Sequence, residues 1–182
     1  MERRLEPISK ERRDGYFRSY KREALHLEMR DIYSTDIERG RFDTWLRGER
    51  LDPDEEAAWW RPWFDLMAAN VAAGKILRRL RIVSEPVTDY IRFEWLDAFN
   101  LVKAGEDVRW LPRRKTSTLL LPGNDYWLFD QETVIFTHFS GGGLVLDHEL
   151  TNDPDMMQTC QVAFEAAWSI ATPHHEYKPA YR

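Results

Sequence analysis

Between residues 106 and 151 the chain is cut into apolar runs too short to be helices. The tightest cut leaves only Gln131 and Glu132 between "DYWLFD" and "TVIFTHF". Strands joined so closely are antiparallel neighbours, because a parallel pair needs a crossover of a dozen or more residues. Asp130 closes the first strand, and Val134, Ile135 and Phe136 carry the second into the core. The runs "DVRWLP" and "STLLLP", and "GGGLVLDHEL" behind its Gly-rich turn, share this length and punctuation, so each is predicted as a strand. The hairpin therefore belongs to a larger sheet.

Helical signals occupy most of the remainder. Residues 8–22, "ISKERRDGYFRSYKR", read as a basic amphipathic helix interrupted at Gly15, and the alternation in "EALHLEM" predicts a strand at 24–30. Ser34 or Thr35 caps a helix bearing Ile37, Phe42, Trp45 and Leu46 and ended by Gly48. The stretch 53–79 gives the clearest helix, with acids in its first turn, bases at its end and a kink or restart at Pro62. After Gly74, "LRIVSEP" is a short strand closed by Pro86. Helix and strand stay open for 87–105, where Thr88 can cap a helix ending at Gly105. Asn152 or Asp153 caps a last helix with Pro154 in its first position, and the tail "TPHHEYKPAYR" is expected to be irregular and frayed. These elements predict one α/β domain of the α+β kind over residues 1–182: a single mixed sheet flanked by helices, with residues 1–23 as a basic helical extension.

Composition narrows the partners. A formal charge of −5 and a pI near 5.6 disfavour non-specific nucleic-acid binding, which needs a concentrated basic field. Eight of the first 22 residues are nevertheless Arg or Lys, interleaved with Tyr16, Phe17 and Tyr20. That pattern suits base stacking or docking of the helix on its own domain, and docking is favoured. One cysteine, Cys160, excludes an internal disulfide and a thiolate zinc cage. With no run approaching ~18 apolar residues and no signal peptide, no membrane contact and a cytoplasmic location are expected. Trp59, Trp60 and Trp63 are crowded enough to suggest an exposed aromatic contact face.

"SEPVTDYIRFE" concentrates Glu85, Asp89, Tyr90, Arg92 and Glu94 beyond an apolar strand, where α/β folds often place ligands. Helical spacing would put Glu85, Asp89 and Arg92 on one face, either as an internal ion network or as a ligand or partner surface. Asp125 and Asp130 are further carboxylate candidates. His138 is a candidate if it meets Asp130 across the hairpin. The histidine spacings match no metal motif, "SGGGL" lacks the Lys-Ser/Thr of a phosphate loop, and no serine has a nucleophile context. No metal, cofactor or catalytic residue is expected.

The strand "GEDVRWL" and the hairpin after it resemble the half-domain of the phospholipase D superfamily, where His-x-Lys-x-x-x-x-Asp precedes such a hairpin. Laid on this chain, the motif Asp falls on Asp130, the Lys on Asp125 and the His on Gly123. The resemblance implies a related architecture, but glycine cannot be the nucleophile and Asp125 would repel a phosphodiester.

A second resemblance covers nearly the whole chain. "YKREALHLEMRDIY", "RIVSEPVTDYIRFEW", "NDYWLFDQETVIFTHF" and "CQVAFEAAW" resemble a family of small actinobacterial proteins of unknown function, encoded beside XRE-type helix-turn-helix regulators. It implies a non-enzymatic regulatory partner, binding such a regulator as a homodimer or through the tryptophan face. The alternatives are a sensor or enzyme using the Glu85, Asp89, Arg92, Asp125 and Asp130 cluster, or nucleic-acid binding by the basic helix.

Overall fold

The computed structural model describes residues 5–34 and 36–181 and contains the hairpin at the expected place. In chain order the elements are β1 (Glu6–Ile8), α1 (Lys10–Ser19), β2 (Glu23–Glu28), α2 (Asp36–Leu46), α3 (Pro53–Ala72) and β3 (Ile76–Val83). Then come α4 (Asp89–Ala104), β4 (Asp107–Pro112), β5 (Asp125–Phe129), β6 (Thr133–Phe139), β7 (Val145–Thr151), α5 (Pro154–Trp168) and β8 (Thr172–Pro173). The strands form one mixed sheet in the order β1-β7-β6-β5-β2-β3-β4-β8. β2, β3 and β4 run parallel, and every other pairing is antiparallel.

The hairpin turn has Asp130 and Gln131 at φ 54° and 59°, and the Glu132 N–H donates to Phe129 O at 2.9 Å. Two successive positive φ angles give the turn the twist its flanking strands need. One sheet face packs Leu25, Leu27, Ile82, Tyr126 and Leu128 against Phe164 and Trp168 of α5. The other face is covered by α1, α3 and α4, around Phe17, Met67, Leu77 and Phe129 on one side and Tyr90, Ile91, Val108 and Trp110 on the other.

Local signals place the helix ends well. The Thr88 hydroxyl accepts from Ile91 N–H, Gly105 closes α4 at φ 109°, and Asp153 caps α5 ahead of Pro154. The Thr35 capping candidate lies outside the described residues. Four expectations are corrected. The first helix begins at Lys10, capped by Ser9, and runs through Gly15, while residues 6–8 pair with β7. The long helix stops at Ala72 and residues 76–79 belong to β3; Pro62 does not break it, because Ala58 and Pro62 sit on its exposed side, where water can take the freed carbonyl. "STLLLP" is no strand: it follows a single 3-10 turn at Arg113–Thr116, pairs with no strand of the sheet, and leaves Leu120 93% exposed. The tail is not frayed. His174 N–H donates to Val108 O at 2.9 Å, and His174 and Tyr177 are buried. Among the described residues no helix is long and apolar enough to cross a membrane.

Candidate functional site

Central strands of a covered sheet are normally apolar throughout. β2 and β3 break that rule on one face. "ALHLE" turns His26 and Glu28 to the same side, and "LRRLRIV" does so with Arg79 and Arg81. Register aligns them, with His26 opposite Arg79 and Glu28 opposite Arg81. The His26 row continues through Trp127 to Ile135. Beyond Glu28, the neighbouring row carries Asp125, Thr137 and His148. A polar band thus crosses the middle of the sheet.

These charges are buried and held by one another. Arg79 donates through Nε to Glu106 at 2.8 Å and reaches Glu28 at 3.3 Å. Arg81 meets Glu28 at 2.9 Å and Glu94 of α4 at 2.5 Å. Without these carboxylates neither guanidinium would be tolerated in the interior. Arg79 Nη1 lies 3.2 Å from His26 Nδ1; a guanidinium only donates, so Nδ1 is the acceptor and the ring is neutral with its proton on Nε2. Burial drives the His26 pKa well below the ordinary value, aided by Arg79, Arg81 and Arg13 and opposed by Glu28. The ring stacks on Trp127 at 3.8 Å.

The carboxylates divide by environment. Burial opposes ionisation of Glu28, yet the Arg81 and Arg79 guanidiniums beside it hold it at about 2. Burial pushes Glu94 up to about 7; Arg81 opposes the shift, and Glu38, Glu28 and Asp97 add to it. Burial likewise raises Asp125 to about 6, against its hydrogen bond from the Tyr33 hydroxyl and with Glu28 adding to the rise.

Above this band lies a cleft of about 540 Å³. α1 contributes Lys10, Arg13 and Arg18 to its rim, α3 contributes Trp59, Trp60 and Trp63, and α4 contributes Glu94 and Asp97. A smaller cavity of about 160 Å³ shares Arg13, Glu28, Glu38 and Trp127 with it and reaches His26, Tyr33, Tyr90 and Asp125. The larger cleft's walls combine the three tryptophans with charged side chains from both the sheet and the helices, and its volume is that of a small-molecule site.

The residues singled out from sequence are dispersed. Glu94, Tyr90 and Asp125 face these cavities; Tyr90 donates to Glu38 at 3.0 Å. Glu85 instead accepts from the Tyr177 hydroxyl at 2.9 Å, and Asp89 pairs with Arg92 at 3.3 Å on the exposed side of α4. Asp130 is at the other end of β5 from Asp125 and accepts the N–H groups of Lys21, Arg22 and Glu23 at 2.7, 2.7 and 3.1 Å. The proposed Glu85–Asp89–Arg92–Asp125–Asp130 cluster therefore does not assemble. His138 contacts Asp147 at 2.6 Å, not Asp130. Trp59, Trp60 and Trp63 form no exposed face: they wall the cleft, Trp60 is buried, and Trp63 Nε1 donates to Glu106 at 2.7 Å. The aromatic residues of α1 pack inward, Tyr16 and Phe17 against Phe129, which is the docking arrangement. His26, Glu28, Arg79 and Arg81 were missed. Their signal was charge at alternate positions within strands that the sheet buries on both faces.

Residues 11–179 match a family described as a domain of unknown function (DUF6879). No curated protein matches the chain. Among solved structures it is similar to TrmBL2, an archaeal chromatin protein whose structure shows a novel mode of DNA binding, with 13% identity, a TM-score of 0.49, and 93% of this chain and 54% of that one covered. The chain thus spans about half the length of the chromatin protein. It is also similar to Nuc from Salmonella typhimurium, a phospholipase D family member, with 11% identity, a TM-score of 0.48, and 87% and 86% covered.

Proposed function

The chain belongs to the DUF6879 family, and from the site it carries we propose that it is a ligand-binding sensor domain whose ligand is a small organic molecule held between the sheet and helices α1, α3 and α4. One observation supports this reading above the rest: a cleft of about 540 Å³ opens directly onto buried charges that the fold does not need for packing. Buried ion pairs rarely repay their desolvation, so apolar residues of similar volume would serve stability at least as well. Their retention beneath an open, tryptophan-walled space makes sense if a ligand uses them.

The regulatory role implied by the sequence resemblance is, on this reading, the output of sensing. An XRE-type regulator in an actinobacterial host would receive the signal from a homodimeric sensor, and co-purification with a sizing column tests that arm separately.

A thermal-shift screen against a metabolite panel tests the sensor itself. A ligand at about 100 times its Kd stabilises by ~2.7 kcal/mol, a rise of roughly 5–11 °C for a domain of this size. Leu66→Trp, which fills the cleft from α3, should abolish that rise. A panel without a hit, or hits unaffected by Leu66→Trp, would refute the reading.

A further inference from the structure

Charge in the cleft is balanced in number but not in place. The lining holds five Lys or Arg and five Asp or Glu. The acids collect on α2 and α4, which contribute Glu38, Glu94 and Asp97 and no base. Those acids are satisfied from within: Glu94 pairs with Arg81, both Asp97 oxygens accept from Arg41, and Glu38 accepts from the Tyr90 hydroxyl. On the floor, Arg79 and Arg81 share Glu28.

The bases collect on α1, which presents Lys10, Arg13 and Arg18 against the single acid Asp14. Helical spacing puts Asp14 one turn from both Lys10 and Arg18. It serves the first, accepting from Lys10 Nζ at 2.8 Å and from Arg13 Nη2 at 2.6 Å. Arg18 is left exposed at the mouth, and among the described residues its guanidinium has neither an ion pair nor a hydrogen bond. An adjoining cavity of about 500 Å³ shares Arg18, Pro62 and Leu66 with the cleft and adds Lys75 and Asp65. Lys75 Nζ donates to the Arg18 carbonyl at 3.1 Å and lies 4.8 Å from the Tyr20 ring, without an ion pair among the described residues. Four bases therefore face two acids where α1 meets α3. Beside them the α3 wall is apolar, with Pro62, Trp63 and Leu66. A guanidinium fork matches a carboxylate, and a neighbouring apolar wall can bury the body that carries it.

We propose that the cleft takes an organic carboxylate, its aromatic or apolar body against Pro62, Trp63 and Leu66 and its carboxylate on Arg18 at the mouth between α1 and α3. The proposal rests on the small-molecule reading above and narrows it to one charge class. Calorimetry at pH 7.5 with three matched probes separates the two. These are indole-3-acetate, its neutral amide indole-3-acetamide, and the cation tryptamine. The acetate should bind about fivefold more tightly than the amide, the scale of one exposed ion pair, and tryptamine more weakly than either. Arg18→Gln should remove that preference by weakening the acetate alone. Arg18 is exposed, so the exchange leaves the core untouched. Arg12→Gln is the control, because Arg12 pairs with Glu6 and lies outside the cleft lining; it should change no affinity. Amide or tryptamine binding as tightly as the acetate would overturn the carboxylate class while leaving a small-molecule cleft in place. So would an acetate preference that survives Arg18→Gln or is lost equally in Arg12→Gln. Silence from all three probes overturns the carboxylate class too, and only a blank metabolite screen beside it takes the sensor reading down as well.

Discussion

Asp130 illustrates how a residue that reads as chemistry can be architecture. Its carboxylate gathers three consecutive backbone N–H groups at the entry to β2, and its left-handed backbone shapes the hairpin turn. Burial alone would raise its pKa, but the N–H donors of Lys21, Arg22 and Glu23 win and lower it. A carboxyl lowered on folding contributes stability above its unfolded pKa, and that contribution is lost as pH falls through the folded value. Asp130→Ala should cost roughly 2–4 kcal/mol at pH 7, since buried donors lose their acceptor. In urea titrations the gap between variant and natural protein should narrow from pH 6 to pH 3. Glu94 has the opposite sign. Its folded value of about 7 lies above the ordinary 4.5, so the folded state keeps a proton the unfolded chain has released. Its contribution therefore falls as pH rises from 4.5 to 7, and Glu94→Gln should gain stability relative to the natural protein between pH 5 and pH 8. A gap independent of pH would contradict both assignments. At this scale the sequence marked Glu94 and Asp125, which face the cavities, but not His26, Glu28, Arg79 and Arg81. Charge in a strand reads as a solvated face until the neighbours on both sides are known.

Elements whose boundaries are set locally were the legible ones. Thr88, Gly105, Asp153 and Pro154 act within a turn of their own helix, so a cap or stop can be read from a few residues. The hairpin was readable for the same reason. What escaped depends on distant partners. β1 exists because β7 offers an edge, whereas "STLLLP" has the composition of a strand but pairs with none. The segment after α5 shows the same dependence. Tyr177 stacks on Trp110 at 5.4 Å, and its carbonyl accepts from Trp95 Nε1 at 3.2 Å. The tail is thus part of the core. Tyr177→Ala should destabilise by about 3–5 kcal/mol, as for other large aromatic truncations, read as a fall in the urea midpoint at unchanged slope. A loss under ~1 kcal/mol would return the tail to the surface.

For the whole molecule, the decisive property is where charge is placed. Net charge says little about a chain whose sheet centre carries arginines buried among paired carboxylates. Gly123 has no side chain to attack with, and Asp130 is committed to the backbone. Purified protein should not hydrolyse bis-p-nitrophenyl phosphate above the buffer rate; turnover lost in Asp125→Ala would reverse this conclusion. The outermost strands bear on a different matter. β1 has three residues and β8 two, and each lies along a longer strand that would otherwise present a row of open amides and carbonyls. Long bare margins invite other chains to add on and grow into fibrils, and short covered ones discourage it. Concentrated solutions should thus resist cross-β deposition, and copies that do associate would meet through helices or loops.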